Sequence, residues 1–245
     1  MTRDEWIEQI VLSSIPLKNL DGSAEPQGFA SGCLIDYCGK RLLLSVEHAT
    51  SQPGAWAIEM RFTPGKGTEL YQVGAMNFLQ QLSLTNFQRE TIDLSYVIVQ
   101  SDLTPVYQIL NQNGTIETEL PRRICGISFE EKPDRRLKYG FSGHTRFSRE
   151  MHTLINPDLA FLFTVPKTQM DLRYEGSEGH HLLFALPDAH PGHEHFKGCS
   201  GAPIIGEDGS IIGLVVGPWQ KAELIEGISL ASFRSAIDIE VGNFH

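Results

Sequence analysis

A serine set among glycines is the sharpest chemical feature of the sequence. Ser200 lies in the segment GCSGAP (198–203), ahead of the apolar pair 204–205. Because glycine has no β-carbon, the backbone can turn tightly around Ser200 and present its hydroxyl. The same turn can aim the N–H groups of Gly198 and Ser200 at one point, as an acyl-transfer site requires for the oxygen that becomes negatively charged. Taken alone, the segment is equally compatible with an ordinary glycine-rich turn.

Two more residues could activate such a serine. His48 follows the apolar run 42–46, and Asp93 opens the apolar run 94–99. A histidine can take the proton of a serine hydroxyl, and a carboxylate can orient that histidine. Burying a carboxylate is costly unless it is paired, so an aspartate at the head of a buried strand is a candidate partner. Singly, His48 and Asp93 are also explained as a structural histidine and a turn residue.

The chain order of these residues and their contexts resemble a known family. The order His48, Asp93, Ser200 is the one found in chymotrypsin and differs from that of subtilisin and the α/β-hydrolases. The segments FASGCLI (29–35), VEHA (46–49), DLSYV (93–97), GCSGAP (198–203) and SIIGLVVG (210–217) are similar to segments of trypsin/chymotrypsin-fold serine peptidases. The similarity spans residues 28 to 230 and is greatest to the disulfide-free, Htr-like bacterial and viral branch.

The resemblance implies an all-β fold of two antiparallel six-stranded barrels with the active site in the cleft between them, and short terminal helices. It divides the chain into an N-terminal barrel at 1–115 and a C-terminal barrel at 116–245. It implies a serine endopeptidase that works through an acyl-enzyme, with His48 as base, Asp93 as its orienting carboxylate and Ser200 as nucleophile. Gly198 and Ser200 would form the oxyanion hole. The implied substrate-binding residues are Glu194, His195, Phe196, Val215, Val216 and Gly217.

The loop 193–196 bears on the choice of the substrate's P1 side chain. If the carboxylate of Glu194 faces the pocket, it favours Arg or Lys at P1. If His195 faces the pocket instead, Glu or Gln becomes favoured, because imidazole donates to carboxylate and amide oxygens. Cys199 stands where trypsin-like zymogens carry an aspartate that binds a freed N-terminus, so we expect activity without N-terminal processing. Pro218 has no N–H to offer to an extended substrate.

Composition narrows the class of protein. The 245 residues have a formal net charge of −10, which repels nucleic-acid phosphates, and no long apolar run suggests a membrane span. Four cysteines and no apolar leader indicate a reduced, cytoplasmic protein. We therefore expect a polypeptide substrate as the partner and no cofactor, while the oligomeric state stays open.

Two other functions compete with hydrolysis. The first is a protease-like fold that serves as a peptide-binding or scaffold module without turnover. The second is a zinc-binding protein that uses the histidine-rich loop 190–195, since imidazole and thiolate are zinc ligands. Its candidate ligands are His190, His193, His195 and Cys199, whose spacing matches no established zinc motif.

The apolar pattern predicts mostly short strands. A short helix or an extended lead-in is expected over 4–11, a linker over 111–119, a tight hairpin turn at 207–209 and one or two helical turns over 233–239. The strands are expected at 29–35, 41–46, 56–62, 94–99, 139–141, 151–155, 159–165, 181–186, 202–205, 210–216 and 222–230.

Overall fold

The structure is a computed structural model that describes residues 1–23, 26–82, 87–111, 115–127, 129, 131–146, 164–189, 191–217 and 224–242. Its helices are α1 (Arg3–Ser13), α2 (Glu47–Thr50) and α3 (Arg234–Val241), with 3₁₀ turns at His193–Phe196 and Ala231–Phe233. Its strands are β1 (Ile15–Leu20), β2 (Pro26–Tyr37), β3 (Lys40–Ser45), β4 (Ala55–Thr63), β5 (Gly67–Gly74), β6 (Asn77–Leu82), β7 (Arg89–Val99), β8 (Val106–Leu110), β9 (Ile116–Pro121), β10 (Cys125–Gly126), β11 (Lys138–Arg146), β12 (Thr164–Glu178), β13 (His181–Ala185), β14 (Pro203–Gly206), β15 (Ile211–Gly217) and β16 (Leu224–Ser229).

The second half of the chain forms a closed barrel of six strands. Their order is β11-β12-β13-β16-β15-β14, and each neighbouring pair is antiparallel. Alternate side chains of these strands point inward, as Leu182 and Phe184 do on β13, and fill the interior with apolar rings and branched chains. The predicted turn at 207–209 joins β14 to β15, where Gly209 adopts a φ of +92°.

The first half is a sheet with two free edges, so only one of the two predicted barrels is closed. The strand order is β5-β4-β1-β2-β3-β7-β6, with β10 beside β2. The edge strand β6 buries one side chain, that of Leu79. Phe78 and Leu82 of β6 stay exposed at this edge, and in the described residues β6 does not pair with β5.

The interpretation of 111–119 as a linker needs correction. Residues 106–110 and 116–121 pair as the antiparallel hairpin β8–β9, and the predicted boundary at 115/116 falls in its turn. The predicted strand at 151–155 and most of the one at 159–165 lie outside the described residues. Both terminal helices are confirmed, at α1 and α3.

A shared apolar core joins the two halves. It combines side chains of β2, β3 and β7 with others from β15 and β16, including Leu42, Leu44, Leu214, Val216 and Ile228. All four cysteines are free thiols, so packing rather than disulfides holds the halves together. In the part of the chain that the structure describes, no helix has the length and apolar character needed to span a bilayer.

Helix α1 is anchored on the second barrel. Thr2 and Glu5 form a capping box that satisfies the first backbone N–H groups of the helix. The indole of buried Trp6 donates to the carbonyl of Ile205 at 3.2 Å, and Arg3 pairs with Asp171 at 2.6 Å.

Candidate active site

The structure brings His48, Asp93 and Ser200 into one hydrogen-bonded row. His48 Nε2 lies 3.1 Å from Ser200 Oγ, and His48 Nδ1 lies 2.8 Å from Asp93 Oδ2. The second carboxylate oxygen of Asp93 accepts the backbone N–H of His48 at 2.9 Å. These distances are within the reach of a base that removes a proton and of a carboxylate that fixes its tautomer.

Neighbouring strands put the base and its carboxylate at the same end of the first sheet. Strands β3 and β7 are antiparallel, and Ser45 at the end of β3 stands opposite Ser95. His48 follows β3 in the one-turn helix α2, while Asp93 precedes Ser95 by two residues and so points to the same face. The hydroxyl of Thr50 donates to Ser95 Oγ at 2.8 Å, which fastens α2 to β7.

Two glycines shape the loop that carries the nucleophile. Gly198 and Gly201 have φ angles of +95° and +89°, a region that favours glycine. A β-carbon on Gly201 would stand 2.0 Å from the carbonyl oxygen of Ser31, so no larger residue fits there. Within the described residues, no backbone acceptor is bonded to the N–H of Gly198 or of Ser200, which leaves both donors available to an oxyanion.

Ser31 on β2 holds this loop from the other half of the molecule. Its hydroxyl donates to the carbonyl of Gly198 at 2.7 Å and accepts the N–H of His144 at 2.8 Å, while its own N–H donates to the carbonyl of Ser200 at 2.9 Å. Ser45 Oγ in turn donates to the carbonyl of Ser31 at 2.6 Å. Sequence reasoning missed Ser31, because a serine in an apolar strand carries no signal of a partner 167 positions away.

Strand β15 lines the other side of the nucleophile. The carbonyl of Val216 lies 3.1 Å from Ser200 Oγ and accepts its proton, and a β-carbon on Gly217 would be 3.5 Å from the same oxygen. Val215 has no free group for a substrate, because its side chain is buried and its backbone C=O and N–H bond to Gly201 and Ala202 in the loop that carries Ser200. Phe196 also packs in the barrel core, so its ring supports the loop rather than lining a cleft.

The loop before the nucleophile is the 3₁₀ turn 193–196. Its His195 is exposed, and Nδ1 of its ring lies 3.2 Å from Nζ of Lys167 on β12. The Glu194 side chain lies outside the described residues. The structure therefore places the ammonium group of Lys167 beside His195, one of the predicted pocket residues.

The proposed zinc ligands are only partly described. His190 and the side chain of His193 lie outside the described residues. Cys199 is fully buried against Gly143, and burial raises the pKa of its thiol to about 12. Because the thiolate is the form that binds zinc, Cys199 is a poor ligand in this position. Its role is packing, as expected for a small buried cysteine.

A second imidazole–carboxylate pair lies near Asp93. His181 Nδ1 is 2.7 Å from Oε1 of Glu226, whose side chain is only 2% exposed. Burial, and then the negative charges of Asp93 and Glu178, raise the pKa of Glu226 to about 7. Burial lowers the pKa of His181. Sequence reasoning missed this pair, since the contact depends on how β13 pairs with β16.

Comparisons with known proteins agree on the fold. No family model matches the sequence, and no curated protein matches it either. A serine endoprotease of Yersinia pestis is similar in structure, with a TM-score of 0.59 and 9% identity over 99% of this chain and 68% of that one. The HL collagenase has a TM-score of 0.58 and 12% identity over 97% of this chain and 96% of that one.

A protein named for binding rather than cleavage has the same likeness. Human heparin binding protein has a TM-score of 0.59 and 13% identity, covering 97% of this chain and 94% of that chain. At such low identities the comparisons establish a trypsin-like, protease-like fold for this chain. The site residues, rather than the fold, must decide between hydrolysis and binding.

Proposed function

We propose that the chain is a serine endopeptidase that cleaves peptide bonds through an acyl-enzyme, with His48, Asp93 and Ser200 as its triad. The observation that carries the proposal is the continuous row of contacts at 3.1 and 2.8 Å between side chains from both halves of the chain. The protease-like fold supports a polypeptide substrate. The four free thiols suit the disulfide-free branch and a cytoplasmic location.

The proposed reaction follows from the geometry of these groups. His48 Nε2 takes the proton of Ser200 as its oxygen attacks the peptide carbonyl, and then delivers that proton to the leaving amine. Asp93 holds the proton on Nδ1 and stabilises the imidazolium while it exists. The N–H groups of Gly198 and Ser200 bind the developing oxyanion, each contributing about 3 kcal/mol in comparable sites.

A fluorophosphonate probe tests the proposal directly. The probe phosphonylates, with loss of fluoride, a serine that an adjacent base activates, so we expect labelling of the wild type and none of Ser200→Ala. Ser210→Ala is the matched control, because Ser210 lies in the turn after β14, where its hydroxyl donates to Asp208. Labelling of all three proteins, or of none under conditions in which each is folded, would contradict the assignment of Ser200.

The alternative of a peptide-binding module has one observation in its favour. Ser200 Oγ donates to the carbonyl of Val216 at 3.1 Å, a bond that competes with the one to His48. If that bond persists when a peptide is bound, the hydroxyl proton stays away from the base. The alternative predicts that peptides bind to the wild type and to Ser200→Ala with equal affinity. Neither protein should cleave them.

The choice of P1 side chain belongs to the same proposal. We infer that Glu194 favours Arg or Lys at P1, while the Lys167–His195 contact at 3.2 Å favours Glu or Gln if it reaches the pocket. Peptides that differ only at P1 distinguish the two when assayed on the wild type, Glu194→Gln and Lys167→Met. Loss of Arg cleavage in Glu194→Gln supports the first, and loss of Glu cleavage in Lys167→Met supports the second. Equal turnover in all three proteins would exclude both.

A further inference from the structure

A polar cavity lies between the two halves, away from Ser200. It has a volume of about 50 Å³, and its lining includes Glu59, Tyr107, Gln108, Arg122 and His144. A single water needs about 10–15 Å³, so the cavity can hold a larger polar occupant or several waters. The lining comes from β4, β8 and the residue after β9 in the first half, and from β11 in the second.

Arg122 is the most unusual group in this lining. The residue is 6% exposed, and its Nη1 donates to the carbonyls of Val11 and Ser14 at the end of helix α1. Its guanidinium carbon lies 5.4 Å from the ring centre of Tyr107. Its Nε has no hydrogen-bond partner. Burial lowers the pKa of Arg122 to about 10, which reflects how poorly its charge is solvated there.

The charges around the cavity do not balance. Glu59 lies 2.9 Å from the ammonium of fully buried Lys18, so its negative charge is matched by that neighbour. At the mouth of the cavity, Arg61 is matched by Glu119 at 2.7 Å. Arg122 is left with the carbonyl ends of α1, which offer only a fraction of a negative charge, and with the attraction of Glu59, which it shares with Lys18. The formal charges of these five described groups, Lys18, Glu59, Arg61, Glu119 and Arg122, sum to one positive charge.

His144 adds a second unpaired nitrogen without adding charge. It is 2% exposed, and its Nε2 has no hydrogen-bond partner. Burial, and then the positive charges of Arg122 and Lys18, lower the pKa of His144 well below its usual value, so the ring is neutral. The neutral ring of His144 therefore adds a polar nitrogen to the lining of the cavity and adds no charge.

We propose that this cavity binds one small inorganic anion, a halide or an oxoanion, which accepts a hydrogen bond from Nε of Arg122 and ties the two halves together. Charge-assisted hydrogen bonds in a poorly solvated site are strong, and one monovalent anion neutralises the excess positive charge. The site is separate from the proposed catalytic row, so it stands or falls independently of the peptidase assignment.

Bromide locates the occupant directly. Crystals of the full chain grown from gluconate buffer and soaked in sodium bromide should give an anomalous peak within about 3.5 Å of Arg122 Nε, at ordinary hydrogen-bond range for a large anion. A sulfate peak at the same position after a sodium sulfate soak, without a bromide peak, assigns the site to oxoanions. Density for water alone in both soaks would overturn the proposal.

Thermal unfolding gives a second measurement in solution. At equal ionic strength, chloride in place of gluconate should raise the melting temperature by about 3–6 °C when chloride is near ten times its dissociation constant. Arg122→Gln should lose this difference, while Arg136→Gln should keep it, because Arg136 is exposed and pairs with Asp134. If Arg122→Gln does not fold, the wild-type and Arg136→Gln curves still decide. An equal melting temperature in chloride and gluconate, with no anion peak, excludes the site.

Discussion

The two imidazole–carboxylate pairs have nearly the same length and opposite surroundings. His48 and Asp93 lie 2.8 Å apart with side chains 45% and 21% exposed, whereas His181 and Glu226 lie 2.7 Å apart with 29% and 2% exposed. The carboxylate of Asp93 accepts hydrogen bonds on both oxygens. Oε2 of Glu226 has no hydrogen-bond partner.

This difference shows that the contact alone does not make a catalytic pair. The outer pair, His48 and Asp93, stays in contact with solvent, and Nε2 of its histidine faces the Ser200 hydroxyl, from which the proposed mechanism takes a proton. In the inner pair, His181 and Glu226, burial raises the pKa of the glutamate and lowers that of the histidine. Both pKa shifts favour the uncharged form of the side chain.

The largest effect should come from neutralising the outer carboxylate. Asp93→Asn removes the acceptor that keeps the proton on Nδ1 of His48, so we expect kcat to fall by about 10⁴-fold, as in comparable triads. Glu226→Gln is the matched control, because it makes the same carboxyl-to-amide change in the inner pair. Its peptidase activity should remain within about one order of magnitude of the wild type, which corresponds to less than about 1.4 kcal/mol.

Steady-state cleavage of one peptide by the three proteins checks this expectation. If Glu226→Gln lost as much activity as Asp93→Asn, the inner pair would be part of the proton path and the contrast would disappear. If Asp93→Asn kept wild-type kcat, the orienting role of Asp93 would be wrong.

The outer pair could be predicted from sequence because its signals are local. His48 ends a strand, Asp93 begins one, and Ser200 lies among glycines whose positive φ angles the structure shows. The inner pair could not be predicted, since the contact between β13 and β16 depends on the register of a closed barrel. Ser31 was missed for the same reason, because its three bonds to Gly198, His144 and Ser200 depend on how the two halves meet.

The fold shows the same division. Apolar runs predicted most described strands and both terminal helices, because periodic burial is written into local sequence. The prediction of a closed barrel in the first half was wrong. The edge strand β6 buries one side chain, and the sequence does not show which strands lie at a sheet edge. The region 111–119 was mistaken for a linker because Glu117, Thr118 and Glu119 interrupt the apolar pattern, although they lie in β9 of the hairpin β8–β9.

The second prediction concerns stability and pH. Glu226 has a raised pKa of about 7, so the folded state holds its proton longer than the unfolded state does, and this group loses stability as pH rises from about 4.5 to 7. His181 has a lowered pKa, so it gains stability as pH rises toward 6.5. The two effects oppose each other, and the wild-type pair should contribute little pH dependence in this window.

Variants that remove one member of the pair should show the pH dependence of stability that the other member contributes. The free energy of unfolding should rise with pH from 4.5 to 6.5 in Glu226→Gln and fall from 4.5 to 7 in His181→Gln. The difference between the two variants should change by on the order of 3 kcal/mol, at about 1.4 kcal/mol per pKa unit. Urea unfolding at each pH measures it. Parallel curves for the two variants would show that Glu226 and His181 titrate in the folded state as they do in the unfolded chain.

The smallest effect on activity should come from Ser31→Ala, which loosens the loop 198–203 that faces His48. Ser31→Ala removes the hydrogen bond to the carbonyl of Gly198 and the one from the N–H of His144, each worth about 1 kcal/mol. The oxyanion donors are then less well held, and because the oxyanion exists only near the transition state, the loss should appear in kcat.

We expect kcat to fall about 10-fold in Ser31→Ala with KM nearly unchanged, and fluorophosphonate labelling to slow by a similar factor. The matched control is Ser142→Ala, because Ser142 is also buried but bonds to Thr168 in the barrel wall. If the role of Ser31 were purely structural, Ser31→Ala would lower the melting temperature, as Ser142→Ala does, and would leave kcat unchanged. The pH dependence of stability should stay as in the wild type, since Ser31 makes no contact with His181 or Glu226 in the described hydrogen bonds. A Ser31→Ala protein with full kcat would show that the glycines alone position the oxyanion loop.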